Sequence, residues 1–67
     1  MSVAKVIEIS SSSKKSFEDA IASGIARASK TIKDIRSAWI KEQSVVVEGN
    51  HIKEYRVDMK VTFVLHE

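Results

Sequence analysis

The sequence predicts an α+β fold of order β-α-β-β, with a three-stranded antiparallel sheet wrapped on one helix. Three observations carry this. The first nine residues contain a β-branched, partly alternating run. Residues 17–35 place apolar side chains at steps of three and four. The last third alternates apolar and polar residues with a period of two. A stripe on a 3.6-residue period is the mark of a helix buried on one face, and a period of two is that of a half-buried strand.

The first element is Val3-Ala4-Lys5-Val6-Ile7-Glu8-Ile9, whose branched side chains favour a pleated, half-covered surface. The serines at 10–13 interrupt it as a turn. Next comes the stripe Phe17, Ala20, Ile21, Gly24, Ile25, Ala28, Ile32 and Ile35, with Glu18, Ser23, Arg27, Lys30 and Lys33 opposite. Ser13 or Ser16 caps this helix, since a serine hydroxyl satisfies free N–H groups at its start. Asp19, three residues after Ser16, resembles a capping box with aspartate in place of glutamate. Gly24 lies on the apolar stripe, where it costs roughly 1 kcal/mol against alanine and is expected to admit a close-packed strand.

From Arg36 the period changes to two. Ala38 and Ile40 are apolar at even positions, and Val45 and Val47 at odd ones. Such a change of parity calls for a bulge, one inserted residue, placed near Gln43-Ser44. Glu48-Gly49-Asn50-His51 signals a turn. The final strand sets Tyr55, Val57, Met59, Val61, Phe63 and Leu65 on one face, and Glu54, Arg56, Asp58, Lys60 and Thr62 on the other. The two long strands form a hairpin whose apolar face covers the helix, and the first strand joins the same sheet. With the turn at 49–51 and the bulge placed near Gln43-Ser44, Trp39 falls opposite Lys60 and Ser37 opposite Thr62. Arg56 then stands roughly 20 Å from Thr62 along the strand, so a site using both Ser37 and Arg56 is shared between subunits.

Composition narrows the function. Eleven basic and nine acidic residues leave a net charge of +2, too weak a bias for a nucleic-acid footprint, which needs clustered positive charge. The basic residues Lys14, Lys15, Lys30 and Lys33 are the nearest approach to one. No apolar run reaches the ~20 residues of a membrane span, and the N-terminal stretch lacks the apolar core of a signal peptide; a cytoplasmic protein is expected. The 67 residues include no cysteine, so disulfides and thiolate metal sites are excluded. A chain this short buries only about 60% of its unfolded surface. Of the usual staples of small domains, this leaves association with further copies, and long open strand edges invite it.

Chemical motifs are sparse. There is no glycine-rich phosphate loop and no nucleophile motif, so no enzyme is expected. His51 reads as a turn residue and His66 as a tail residue, with no acidic set beside either, so no metal site is expected. Ser11, Ser12 and Ser13 with Lys14 and Lys15 precede a helix N-terminus, an end that attracts anions, although a capped helix with solvated lysines explains the same residues.

The stretches KVIEI (Lys5 to Ile9), the serine-rich turn, AIASGIARASKTI (Ala20 to Ile32) and EYRVDMKVTFVL (Glu54 to Leu65), in this order and at these lengths, resemble the dodecin family. The resemblance spans nearly the whole chain and implies a single dodecin-like domain over residues 1–67. It implies a hollow shell of twelve copies that binds flavins in pairs, riboflavin or FMN, as a store or buffer. Flavin-binding dodecins stack the ring on a tryptophan early in the second strand and hydrogen-bond it through a glutamine in the last. Those two positions are Ser37 and Arg56 here. Trp39, two residues on, shares a strand face with Ser37 and can supply the stacking wall in its place. The expected ligand residues are therefore Ser37, Trp39 and Arg56. Competing roles stand beside these: Trp39 as an aromatic buried at a subunit contact, and Arg56 either holding a phosphate or carboxylate or pairing with Asp58 or Glu42 of a neighbouring copy. The alternative function is a structural shell without flavin, its site given to subunit packing or to ions.

Overall fold

The computed structural model describes residues 3–65. The element order is β1 (Val3–Ser13), α1 (Phe17–Ala28), β2 (Ile35–Glu48) and β3 (His51–Leu65). The sheet order is β1-β3-β2, all neighbours antiparallel. The β-α-β-β order and the three-stranded sheet are as the sequence predicts, with β3 at the centre.

Four details differ. The serines do not break β1: they continue it to Ser13, with Ser10 opposite Asp58 and Ser12 opposite Arg56. Serine favours turns only where its hydroxyl captures local backbone, and here the β3 ladder takes that backbone instead. The hydroxyls that do act locally are those of Ser13 and Ser16. Buried Ser13 accepts from Lys15 N at 2.9 Å and donates to Asp19 Oδ2 at 2.6 Å. Ser16 is the N-cap, accepting from Asp19 N at 3.0 Å.

The helix also stops earlier than the apolar stripe does. It ends at Ala28, so Ile32 lies beyond it and Ile35 opens β2. The hydroxyls of Ser29 and Thr31 bind the carbonyls of Ala26 and Ala28, competing with continued helical turns. Asp34 then takes a left-handed φ of 56°, and its carbonyl accepts from Val64 N at 3.2 Å.

The bulge lies earlier than the parity switch indicates. The register slips between Ile40 and Glu42, leaving Lys41 as the extra residue, and further irregularities fall at Ile35/Ser37 and Val46/Val47. Polar Gln43, opposite Val57, hides the change of phase until Val45. The turn itself is two residues, Gly49 and Asn50, both with positive φ (58° and 63°), the geometry of a type I′ hairpin. His51 already pairs with Glu48 in the ladder.

Finally, the helix packs mainly on β1 and β3, so that of the two hairpin strands it is chiefly β3 that it covers. Ala20, Val57, Met59 and Val61 are fully buried, with Ile7, Ile9, Phe17, Ile21, Ile25, Ile35 and Ile40 packed around them. Gly24 is the point of closest approach. A Cβ there would lie 2.6 Å from Met59 Cε and 2.9 Å from Ser11 Cβ, which bears out the expected close-packed strand.

The molecule is a ribbon of 52 × 20 × 13 Å with a radius of gyration of 13.8 Å. A self-contained domain of this length has one of about 11 Å. Among the described residues no helix is long and apolar enough to cross a membrane.

Candidate functional site on the helix-free face

Strict alternation along β3 gives the sheet two unlike faces. The helix covers the one bearing Val57, Met59 and Val61. The other carries three rows across β1, β3 and β2: Glu8–Lys60–Trp39, Ser10–Asp58–Glu42 and Ser12–Arg56–Ser44. Ser37 stands opposite Thr62 and Trp39 opposite Lys60, the pairings expected from the sequence, reached here through a two-residue turn and offsetting irregularities at Val46/Val47 and Ile40/Glu42.

The Trp39 indole is 69% exposed. Lys60 Nζ stands 5.7 Å from the centre of its ring, within cation–π range. Lys41, pushed out by the bulge, reaches across the central strand to Glu8 Oε1 at 3.1 Å. Both partners are about half exposed, so this pair contributes only about 0–1 kcal/mol.

Four residues along β3, about 13 Å away, the polar rows form an open depression of about 300 Å³. It is lined by Ser10, Ser11, Ser12, Ser44, Arg56 and Asp58. Ser10 Oγ donates to Asp58 Oδ1 at 2.6 Å. Arg56 is exposed, and its Nη2 lies 3.8 Å from Glu54 Oε2, a loose contact for a guanidinium, whose strong pairs are shorter and bidentate.

The three sequence-predicted residues thus share one face without converging within one chain. Ser37 and Trp39 sit towards one end, and Arg56 lies in the depression with no aromatic among its lining residues. The contact that forms at Arg56 is with Glu54 of the same chain. Ser10 and Ser44 were missed as site residues, and Ser12 was read only as part of a helix N-terminus and not as the neighbour of Arg56. The signal for Ser10 and Ser12 was available in the parity of β1: continuing its alternation past Ile9 places both on the helix-free face. Among the described residues no group of three or more histidine, aspartate or glutamate side chains is placed to hold a metal ion; His66 lies outside them.

A β-α-β-β subunit of this kind, buried on one sheet face and bare on the other, belongs to the class of small modules built to be covered by further chains. Comparison with known proteins makes the class specific. The Dodecin family model matches residues 3–66, and the chain belongs to that family. It is 40% identical over 63 residues, 94% of this chain and 89% of the relative, to the calcium dodecin of Mycobacterium tuberculosis. Among solved structures it is similar to a variant of the Thermus thermophilus dodecin, with a TM-score of 0.96, 33% identity and full coverage of both chains. It is likewise similar to the dodecin of Streptomyces davaonensis, with a TM-score of 0.95, 30% identity and coverage of 98% and 97%.

Proposed function

We propose that this chain is a binding and storage subunit. Twelve copies close into a hollow shell and hold a flavin or a related flat aromatic ligand at sites shared between copies. The observation that carries the reading is Trp39: a large indole, 69% exposed, on the sheet face that no element of its own chain covers. Exposed tryptophan that is apolar on its faces and polar at its edge suits stacking against a flat ring.

The fit to a flavin follows from the geometry of the face. One copy offers Trp39 as one wall, with Ser37 beside it on the same strand face. The opposite wall must come from a second copy, because the other aromatics lie on the helix side of the sheet: Tyr55 and Phe63 in phase with Val57, Met59 and Val61, and Phe17 packed on that core and edge-to-face with Tyr55 at 5.1 Å. Arginine donates hydrogen bonds but accepts none, so Arg56 meets only the acceptor part of a flavin ring edge. Binding is therefore weaker than in dodecins with tryptophan and glutamine at positions 37 and 56. The loss of one stacking face corresponds to roughly 1–3 kcal/mol, by analogy with base–aromatic stacking, or about ten- to a hundredfold in affinity.

The test is a fluorescence titration of the assembled protein with riboflavin and FMN. Quenching is expected for the natural protein, a marked loss in Trp39→Ala, and a gain in Ser37→Trp with Arg56→Gln. Strong binding unchanged in Trp39→Ala would refute the role of Trp39. The second reading, a shell without flavin whose site serves packing or ions, has its own support: Ser37 and Arg56 replace both ring-contacting residues, and a 40% identical relative is named for calcium. It predicts full assembly with no quenching.

A further inference from the structure

The helix is shorter than the sheet it covers. Its 12 residues span about 18 Å, whereas the ribbon is 52 Å long. The helix packs over Val57, Met59 and Val61, and beyond it the same sheet face is bare at both ends. At the hairpin tip, Val45 stands opposite Tyr55 and Val47 opposite Ile52. That register puts Val45, Val47 and Ile52 together on the helix side, where they are 40%, 59% and 53% exposed. At the far end of the same face, Val3 pairs with Leu65, and both are exposed. There the loop after the helix and the end of β3 form an open groove of about 410 Å³, lined by Thr31, Ile32, Lys33, Phe63, Val64 and Leu65. Ile52 and Leu65 stand roughly 43 Å apart along β3, so the two apolar ends cannot cover each other within one chain.

Charge decides which surfaces meet. The groove end carries Lys33 and Lys5, which lies opposite Phe63. The tip carries Glu48, its side chain 72% exposed and held only in an exposed pair with Lys53. End against end sets lysines against lysines. Tip against tip leaves the groove open. Tip into groove sets Glu48 against the lysines and covers both apolar ends at once. The apolar residues supply the driving force, and the rim charges fix partner and register more than they add affinity.

We propose that the hairpin tip of one copy seats in the far-end groove of the next, Val47 and Ile52 against Ile32, Phe63 and Leu65. The contact joins two different surfaces, so it is heterologous: it runs head to tail and ends in a ring where the rotation closes. Each copy both gives a tip and receives one. This rests on the association into a shell proposed above, and adds which surfaces of the helix side meet.

Cross-linking of the intact particle tests this, because the chain has no cysteine of its own. Ile52→Cys, Leu65→Cys and the double variant are treated with a short bis-maleimide and separated under denaturing conditions, with the mass of each particle checked first by light scattering. The double variant is expected to give a ladder of dimers, trimers and larger species, and each single variant to stay monomeric. Dimers from Ile52→Cys alone, in the yield of the double variant, would mean that tip meets tip and would overturn the proposal. So would a particle of natural mass whose double variant gives no ladder, and that result leaves the shell reading intact. A folded monomer in light scattering overturns the shell reading and this contact with it. In a second measurement, Ile52→Asp is expected to lower the particle mass at least twofold at micromolar concentration; an unchanged mass would contradict the contact.

Discussion

The two faces of one three-stranded sheet differ more than any two elements of this chain. On the helix side, Val57, Met59 and Val61 are fully buried with Ala20, and Ser11 and Met59 touch the helix at a glycine. On the other side, one residue along in each case, Arg56 is exposed, Asp58 and Lys60 are half-buried, and Trp39 stands open beside Lys60. Successive side chains of a strand point to opposite faces, so β3 alternates between a residue that holds the fold and a residue free to meet something else. Substitutions one position apart should therefore report on different properties.

The largest effect is expected at Met59. Truncating a fully buried side chain loses its transfer energy and leaves a cavity, costing about 2–5 kcal/mol for Met→Ala. Met59→Ala is expected to lower the melting temperature by ten degrees or more on the usual scale of ~4–8 °C per kcal/mol for a chain this size, at matched protein concentration because association adds to apparent stability. A loss of only a degree or two would mean that the helix side is not the core.

Next comes Gly24. Replacing glycine inside a helix normally gains up to about 1 kcal/mol, but here a Cβ would press on Ser11 Cβ at 2.9 Å as well as on the movable end of Met59. Overpacking typically costs 1–3 kcal/mol, so Gly24→Leu is expected to destabilise the particle or reduce its subunit number. Stabilisation by Gly24→Leu would show that helix and strand are not held at this distance.

The smallest effect belongs to the helix-free face. Lys41→Ala removes an exposed pair with Glu8 and is expected to change stability by less than about 1 kcal/mol, read by chemical denaturation. A loss comparable to that of Met59→Ala would place Lys41 in a buried contact between copies.

How much of this was legible in the sequence follows from the same two faces. The helix stripe from Phe17 to Ile25 and the alternation from Tyr55 to Phe63 are single-period signals, and both elements form where they indicate. The opposition of Trp39 to Lys60 and of Ser37 to Thr62 was reached from a three-residue turn and one bulge, whereas the chain uses a two-residue turn and two irregularities before Trp39 whose shifts cancel. The extension of β1 through Ser13 was hidden because serine carries no apolar mark, and with it went Ser10 and Ser12 as neighbours of Asp58 and Arg56. The position of the bulge was blurred by Lys41, Glu42 and Gln43, three polar residues among which hydrophobic parity cannot be followed. Which residues of separate copies meet over Trp39 is not written in one chain's pattern at all, since it depends on surfaces that complement each other across copies.

The central claim is that the bare face and open ribbon are completed by further copies of the same chain. Static light scattering on the purified protein at micromolar concentration tests it directly. The account predicts a single particle of about 90 kDa, twelve times the 7.5 kDa chain, with no folded monomer on dilution. A folded monomer or dimer with Trp39 still in solvent would contradict it.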